Sequence, residues 1–307
     1  MAEFVIAEMQ RDYELVLFDR VRPGENRFPF DIRHPYHHGD LTVGEDCARA
    51  VAGCQAVLHL GAIPWATDVP RIIERLRSEG RPIPSPDETM RVNTMGTYHV
   101  LREAHAAGAQ VVVTVTSNCV LGHCMGRPSG RPMQIEYLPI DEEHPTDVEE
   151  SYGVSKQFQE QLMAGFTRMT AMRTYGIRPA ALYRPERQKE WAENYKPAEE
   201  WTLSRPFNGY LDVGDAARAL RLCLEAGIAG DLPPHDNYYI ASADTLEAEP
   251  TLEVLSRLRP DLLASVPEGA LPGRAAFFSS RKATKAFGWQ AESSWTRYLG
   301  AAQQASN

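Results

Sequence analysis

The sequence has no apolar run long enough to cross a membrane, and its N-terminus lacks the charged-then-apolar pattern of a signal peptide. It has few cysteines: five, an odd number, at positions 47, 54, 119, 124 and 223. Their irregular spacing fits neither a disulfide framework nor a metal motif. We therefore expect a cytoplasmic protein with no bound metal. Cys119 and Cys124 are the nearest candidates for a redox or metal pair, but reduced thiols in the core or a loop are expected.

Positive charge is also scarce, because 32 lysines and arginines stand against 41 acidic residues for a net charge of −9. This balance argues against nucleic acid or an anionic membrane as a partner. Apolar residues make up 43% of the 307 positions, as in ordinary soluble proteins. The length allows one large domain or two modest ones, and no internal repeat or low-complexity tract is present.

Short apolar runs alternate with longer amphipathic segments over the first 179 residues. The runs at 15–19, 56–62, 111–116 and the one ending at 177–179 predict buried strands, and a weaker strand is expected to reach 40–41. Helices are predicted at 4–9, 45–52, 87–107 and 151–170. This alternation predicts right-handed βαβ units, and so an α/β fold with a doubly wound parallel sheet.

The regular alternation ends after Pro179. Residues 209–241 return to the pattern, with a predicted helix at 212–226 and a strand at 237–241, and a late helix is predicted at 280–287. We therefore assign 1–179 with 209–241 to a nucleotide-binding type of domain, and 180–208 with 242–307 to a small substrate-binding cap. Such a cap would lie over the carboxyl edge of the sheet, where open α/β folds bind ligands.

The segment that begins at Ser151 carries the most specific chemistry. Tyr152 and Lys156 are four residues apart, so they lie on the same face of the predicted helix. The ammonium would favour the phenolate and lower the pKa of the tyrosine, which is normally near 10. Ser117, at a predicted strand end, could hold a substrate oxygen while the phenol exchanges a proton with it. Alone, this spacing is common, and an exposed helix would explain it equally well.

Further motifs occur in a recognisable order. They are Val16-Leu17-Phe18-Asp19-Arg20, Gly39-Asp40-Leu41, Leu58-His59-Leu60-Gly61-Ala62, Asn93-Thr94-Met95-Gly96-Thr97, Thr116-Ser117-Asn118, Tyr152 with Lys156, and Arg178-Pro179. The series resembles the extended short-chain dehydrogenase/reductase family, also called the NAD-dependent epimerase/dehydratase family, over residues 15 to about 289. The resemblance implies a Rossmann-type sheet and an enzyme that uses a nicotinamide cofactor.

It also implies a role for particular residues. Tyr152 would be the catalytic acid/base, Lys156 would lower its pKa and bind the nicotinamide ribose, and Ser117 would position the substrate oxygen. The expected cofactor-binding residues are Asp19, Arg20, Asp40, Leu41, Leu60, Gly61, Ala62, Tyr152, Lys156 and Pro179. Asp19 would bind both adenosine ribose hydroxyls and so favour NAD over NADP, although Arg20 could soften that preference.

The expected substrate-binding residues are Asn93, Ser117 and Asn118, with a buried bracing amide as an equal alternative for Asn93. Dehydratases of the family carry Asp-Glu where this chain has Asn118-Cys119, so dehydration is not expected. Ser117-Asn118 is more similar to the sugar and sugar-acid dehydrogenases, which implies NAD-dependent oxidation or reduction of a sugar-like alcohol. Sugar-nucleotide epimerisation remains an alternative. The family pairs helices at 87–107 and 151–170 in a homodimer, so a homodimer is expected.

One strong feature of the family is missing. A strand and a G-x-x-G-x-x-G turn should precede the helix at 4–10, and no such glycine triplet occurs in the sequence. That turn brings backbone N–H groups to the pyrophosphate. Three explanations are open: an N-terminal segment absent from this sequence, recruitment of residues 3–7 as a replacement strand, or a ligand-binding or regulatory protein that keeps the catalytic residues by descent.

Overall fold

A computed structural model describes residues 1–25, 33–202, 207 and 209–300. Its α-helices are Ala2–Met9 (α1), Gly44–Val51 (α2), Pro70–Ser78 (α3), Glu88–Met90 (α4), Gly96–Ala106 (α5), Ser151–Met169 (α6), Pro185–Glu193 (α7), Val213–Ala229 (α8), Thr251–Leu258 (α9) and Arg281–Phe287 (α10). A π-helical turn, Arg91–Met95, joins α4 to α5. Short 3-10 helices form at Asn118–Leu121, Pro260–Ser265 and Trp295–Tyr298. None of the described helices is long and apolar enough to cross a membrane.

The strands are all parallel to their neighbours. They are Leu17–Asp19 (β1), Tyr36–His38 (β2), Ala56–His59 (β3), Val111–Val115 (β4), Arg173–Pro179 (β5), Ala181–Tyr183 (β6), Tyr210–Asp212 (β7) and His235–Ile240 (β8). The main sheet has the order β3-β4-β5-β8, and β6 pairs with β7 beside it. The parallel α/β sheet expected from the sequence is therefore confirmed.

Helices cover both faces of the main sheet, and β4 shows why. Val111 and Val113 point into a core cluster that includes Val5 of α1 and many residues of α8. Val112 points the other way, into a cluster with residues of α5 and α6. Because successive side chains of a strand alternate between faces, a run of valines is what a sheet buried on both faces requires.

The sheet is divided at one place. β1 and β2 form a two-stranded sheet of their own, and neither is hydrogen-bonded to β3. Within the described ranges, no strand is hydrogen-bonded to both β1 and β3. Leu41, in the loop after β2, packs between Gly61 and Gly96, where an added Cβ would come within 2.6 and 2.9 Å of its side chain. These two glycines let Leu41 join the small sheet to the large one.

Two sequence expectations need correction here. Residues 3–7 lie inside α1 and are not a replacement strand, because Val5 and Met9 pack as one apolar helix face against the core. Residues 40–41 form a turn rather than a strand end, and β2 lies slightly earlier. Asp40 holds this turn through hydrogen bonds of 2.7 Å from the backbone and hydroxyl of Thr42.

The residues assigned to the cap fall into two groups. Ala192, Leu246, Trp295 and Leu299 form a separate small cluster, together with Tyr210 of β7, which lies outside the assigned cap. Several others, such as Leu255 and Phe277, belong to the same core cluster as the main sheet. Cap residues 203–206, 208 and 301–307 lie outside the described residues. The division into two domains therefore stays a prediction.

Close packing of α8 on the sheet generates a first test. A Cβ at Gly227 would lie 2.5 Å from the ring of Tyr175, which is fully buried and donates a hydrogen bond of 2.9 Å to the carbonyl of Pro233. Because this ring cannot easily move, we expect Gly227→Ala to lower the free energy of unfolding by ~1–3 kcal/mol. Gly165 of α6 has open space around it, so Gly165→Ala should raise the free energy of unfolding by ~0.5–1 kcal/mol. Denaturant unfolding of both variants measures the difference, and equal effects would contradict the packing.

Candidate active site

The carboxyl end of β4 delivers two polar residues to the edge of the sheet. Ser117 begins the 3-10 helix Asn118–Leu121, and its hydroxyl oxygen accepts a hydrogen bond of 3.1 Å from the backbone N–H of Cys119. Both Ser117 and Asn118 are buried beneath the surface of the protein. The strand end and the turn therefore fix the positions of a hydroxyl and an amide at one point.

The start of α6 faces this point. Glu150 precedes the helix, and its carboxylate accepts hydrogen bonds from the backbone N–H groups of Tyr152 at 2.6 Å and Gly153 at 3.0 Å. An N-cap acceptor satisfies helix N–H groups that would otherwise lack partners. Asp68 supports the same turn, because it accepts a bond of 2.7 Å from the hydroxyl of Ser151. These contacts fix the first turn of α6, and Tyr152 with it.

Ser117, Tyr152 and Lys156 come together at this edge. The hydroxyl of Ser117 hydrogen-bonds with the phenol of Tyr152. The ammonium of Lys156 donates a bond of 3.0 Å to the carbonyl of Val115, the last residue of β4, and lies 5.6 Å from the centre of the Tyr152 ring. A hydroxyl, a phenol and an amine thus converge from one strand end and one helix.

Burial governs how these groups titrate. Burial raises the pKa of Tyr152 to about 12, although the hydrogen bond with Ser117 opposes that shift. Burial lowers the pKa of Lys156 to about 7, with the charge of Glu160 acting in the opposite direction. The pKa of Tyr152 is thus raised, the opposite of the direction expected from the sequence, because removal of the phenol from water is the largest effect on it.

A buried ion pair lies next to Lys156. Glu160, one turn after Lys156, accepts two hydrogen bonds of 2.8 Å from the guanidinium of Arg178. Arg178 comes from β5, so the pair ties α6 to the sheet next to the candidate site. Two parallel N–H···O bonds of this kind fix orientation as well as charge. The negative charge of Glu160 is held where it acts on Lys156.

Comparison with known proteins identifies the family to which the chain belongs. The sequence profile of the NAD dependent epimerase/dehydratase family matches residues 4–238. The chain belongs to this family. A curated relative, the 3-beta-hydroxysteroid dehydrogenase of Mycolicibacterium neoaurum, is 26% identical over 274 residues, covering 86% of this chain and 69% of the relative.

Solved structures resemble the whole chain. A short-chain dehydrogenase/reductase superfamily protein from Agrobacterium tumefaciens with bound NAD is 21% identical, with a TM-score of 0.63 over 99% of this chain and 93% of that chain. A UDP-glucose 4-epimerase from Thermotoga maritima with UDP-glucose is 16% identical, with a TM-score of 0.65 over 95% and 90%. At these identities the likeness establishes the fold, and the residue roles rest on the geometry of this chain.

Asn93 takes the bracing role that the sequence left open. Its amide oxygen accepts a bond of 2.8 Å from the backbone N–H of Ile63, and its amide nitrogen donates to the Ile63 carbonyl at 3.1 Å and to the Ser155 hydroxyl at 2.9 Å. The side chain is fully buried in the π-helical turn. Asn93 therefore ties the loop after β3 to α6, and the prediction that it binds substrate is not supported by its contacts.

Most of the residues expected to bind the cofactor lie at the carboxyl ends of β1 and β5 and in the loops after β2 and β3. Asp19 is exposed at the carboxyl end of β1, where a ribose could reach its carboxylate. Arg20 follows it and lies close enough to Asp40 for its charge to act on that carboxyl. Leu41 packs against Gly61, and Leu60 and Ala62 flank Gly61 in the loop after β3. Pro179 ends β5, next to Arg178.

The pyrophosphate in the middle of a dinucleotide would need hydrogen-bond donors of its own. Within the described residues no glycine-rich turn lies beside the start of α1. The donors that a pyrophosphate needs are therefore not supplied by such a turn in this sequence, as the motif analysis indicated.

Sequence reasoning missed two contributors to the site. Glu150 was not singled out because glutamate is an uncommon N-cap residue, and Asp68 is 83 positions away from its partner Ser151. Burial raises the pKa of Glu150 to about 7, although backbone N–H groups of Gly153 and Tyr152 oppose the shift. Only the spatial arrangement shows that these carboxyls belong to the first turn of α6.

The expectation of five reduced thiols is also corrected. The sulfur atoms of Cys119 and Cys124 are bonded to each other as a disulfide, and the two Cα atoms are 5.2 Å apart. The other three cysteines are free thiols. Chain reversal at Gly122 brings the two residues together, which spacing alone did not reveal. No group of three His, Cys, Asp or Glu side chains suited to a metal ion is found in the described ranges.

His59, at the end of β3, generates a test of acid stability. Burial, with a smaller effect from the charge of Lys156, lowers its pKa from 6.5 to about 3. The His59 imidazole therefore stays unprotonated in the folded protein, whereas in the unfolded chain it binds a proton below pH ~6.5. We expect the free energy of unfolding to fall by up to ~1.4 kcal/mol per pH unit as the pH drops from ~6.5 towards 3, because of this group.

Two variants isolate this contribution. His59→Gln keeps a hydrogen-bonding group near Thr97, whose hydroxyl lies 3.0 Å from the imidazole, and should remove the acid dependence in that window. His105→Gln changes an exposed histidine on α5 and should leave the dependence as in the parent protein. Urea unfolding between pH 4 and 7 measures all three proteins. Parallel pH curves for His59→Gln and the parent would rule out this explanation.

Proposed function

We propose that this protein is an NAD-dependent oxidoreductase that acts on a CH–OH or carbonyl group of a sugar-like substrate. The observation that carries the proposal is the convergence of Ser117, Tyr152 and Lys156 at the carboxyl end of β4. Phenols, hydroxyls and amines placed together in this way serve general acid–base catalysis at an alcohol or carbonyl. Membership of the family adds support for a nicotinamide cofactor.

The residues divide the chemistry between them. Tyr152 takes the proton from the substrate alcohol during oxidation and returns it to the carbonyl oxygen during reduction. Ser117 and Asn118 hold that oxygen, since both are fixed by the turn after β4. Lys156, held by Val115 and by the field of Glu160, binds a ribose hydroxyl and supplies positive charge beside the phenol. The nicotinamide, when bound, accepts or supplies the hydride.

Cofactor choice follows from Asp19. An exposed carboxylate at the end of β1 can accept hydrogen bonds from both hydroxyls of an adenosine ribose, and its charge repels a 2′-phosphate. NAD is therefore preferred over NADP. The net charge of −9 further supports a protein that binds no nucleic acid, and we propose that it works in the cytoplasm.

Steroid alcohols are a second candidate class. The curated relative with 26% identity is named as a 3-beta-hydroxysteroid dehydrogenase, and its match covers most of this chain. The same proton transfer would serve a secondary alcohol on either scaffold. Sugar-nucleotide epimerisation stays a further alternative, because solved structures of that type share the fold.

Tyr152→Phe tests the proposed chemistry. We expect this variant to lose activity by roughly 10²–10⁴-fold, since it removes the acid/base hydroxyl and keeps the ring. Reduced-nicotinamide absorbance is followed with NAD, and in parallel with NADP, against a panel of aldoses, uronates, sugar nucleotides and 3β-hydroxysteroids. Tyr13→Phe removes a hydroxyl that donates to Glu225 of α8 at 3.0 Å and is not part of the candidate site, so this variant should retain full activity. Turnover by Tyr152→Phe equal to the parent, or no turnover by the parent with any alcohol, would overturn the proposal.

We also propose that the protein is a homodimer formed through α5 and α6. Large apolar side chains on the outer faces of these helices are exposed, with Phe158 at 51% and Met169 at 68% of full exposure. Met95 and Tyr98 lie exposed on the neighbouring segment. Several large apolar side chains exposed on two neighbouring helices are typical of an interface between subunits. Two paired copies would bury four helices against each other.

Phe158→Glu tests this interface. A charge at this position should dissociate the dimer, because its burial against an apolar partner surface would be unfavourable. Ile228→Glu is the matched control, since Ile228 is 46% exposed on α8 at the other face of the sheet and should leave the dimer intact. Light scattering after size exclusion gives the mass of each. A monomeric parent protein, or a dimeric Phe158→Glu variant, would contradict the assignment.

A further inference from the structure

We propose that Cys119 and Cys124 are a reversible thiol–disulfide pair that controls how Asn118 is presented to the substrate. Cys119 lies in the 3-10 helix directly after Asn118, and Cys124 returns to it five residues later. The Cα separation of 5.2 Å lies in the range in which a disulfide forms without backbone movement. This inference rests on the proposed function in so far as it assigns Asn118 to substrate binding.

The loop between the two cysteines is shaped for this contact. Gly122 ends the 3-10 helix with φ at +102°, a conformation that other residues rarely adopt. A Cβ at Gly122 would also overlap the backbone carbonyl of Asp147. The chain can therefore reverse only with glycine at this position. Reversal brings Cys124 back over Cys119 and next to the candidate active site.

The pair is in direct contact with the groups that would hold substrate. The Asn118 amide oxygen lies 3.8 Å from the sulfur of Cys119 and 3.5 Å from that of Cys124. The backbone N–H of Cys119 donates to the hydroxyl of Ser117 at 3.1 Å. Cys119 and Tyr152 also share one buried apolar cluster, and Cys124 packs at its edge. A change in the oxidation state of the two sulfurs would therefore alter the surroundings of the Asn118 amide, the Ser117 hydroxyl and the Tyr152 phenol.

The oxidation state decides what the sulfurs can donate. In the dithiol, each S–H can donate a weak hydrogen bond to the Asn118 oxygen, in competition with a substrate hydroxyl. In the disulfide, neither sulfur carries a hydrogen, so this competition ends. The disulfide also fixes the backbone of the turn that carries Asn118. The oxidised protein should therefore bind substrate more tightly than the reduced protein.

The pair can be reduced by a dithiol and oxidised by hydrogen peroxide. A thiol of a dithiol reductant attacks the partly exposed Cys124 sulfur. The S–S bond breaks, Cys119 leaves as a thiolate and takes a proton, and the reductant is joined to Cys124 in a mixed disulfide. The second reductant thiol then attacks this mixed disulfide and releases Cys124 as a thiol. Two thiols form as the reductant becomes a disulfide. For oxidation by hydrogen peroxide, the Cys124 thiol gives its proton to His123 and its sulfur attacks one peroxide oxygen; the O–O bond breaks, and the departing hydroxide takes that proton back to leave as water. The Cys119 thiol then attacks the sulfur of the sulfenic acid, the S–O bond breaks, and the hydroxyl leaves as a second water with the proton of that thiol. The imidazole of His123 lies 3.2 Å from the Cys124 sulfur, where it can take the thiol proton.

The experiment compares verified oxidised and reduced forms of the whole protein. Alkylation and mass spectrometry should count three reactive thiols after peroxide and five after dithiothreitol, because the chain has five cysteines of which two are paired. The KM for the best alcohol of the panel should rise about three- to tenfold on reduction, with a smaller change in kcat. Cys119→Ala with Cys124→Ala should show no redox dependence. Cys54→Ala, a cysteine away from the site, should behave as the parent.

A second readout is independent of turnover. The side-chain amide signal of Asn118 in a ¹H–¹⁵N spectrum, assigned by its loss in Asn118→Asp, should shift on reduction in the parent and stay fixed in the double alanine variant. A shift without any turnover would remove the proposed function but leave the redox pair. Failure of the two cysteines to form the disulfide would overturn the inference. It would also be overturned if the Asn118 amide signal and the KM were the same in the oxidised and reduced proteins although their thiol counts differ.

Discussion

The candidate site depends on a lysine that is removed from water. Lys156 is fully buried, and its ammonium has the Val115 carbonyl as a hydrogen-bond partner at 3.0 Å. A buried cation without compensation would lose its proton, and here the pKa is lowered only to about 7 because the charge of Glu160 opposes the effect of burial. Arg178 in turn holds Glu160 through two bonds of 2.8 Å. The sheet, through β4 and β5, thus sets the charge state of a residue on α6.

The divided sheet is held together by side chains where backbone pairing is missing. β1 and β3 have no hydrogen bonds to each other, so the small sheet depends on Leu41 between Gly61 and Gly96. The Leu41 carbonyl also lies 3.2 Å from the imidazole of His99 on α5, and Thr42 accepts a bond of 3.0 Å from Arg91. Leu41, which was predicted to bind the cofactor, therefore connects the two sheets. A ligand bound across the divide would contact both parts at once.

The sequence predicted the periodic parts of the fold well and the connections between them poorly. The valines of β4 and the long α6 follow simple periodicities, and their bounds lie within a few residues of those predicted. Helix α3 was missed although Ile72 and Leu76 lie on one face, because a proline at its start was not considered as a helix signal. The contacts of Glu150 with Tyr152 and of Cys119 with Cys124 depend on how loops fold back, and no spacing rule contains that information.

The same limit explains why the pKa of Tyr152 was expected to move the other way. A sequence places a cation one turn from a phenol, but it does not say how much water reaches either group. Burial raises the pKa of the phenol and lowers that of the amine, because it disfavours the charged form of each group. A positive charge brought next to the phenol would favour the phenolate. In the proposed mechanism, proton transfer at Tyr152 would therefore depend on the charge of the groups that fill the site, and the buried Glu160–Arg178 pair would help Lys156 to keep its proton there.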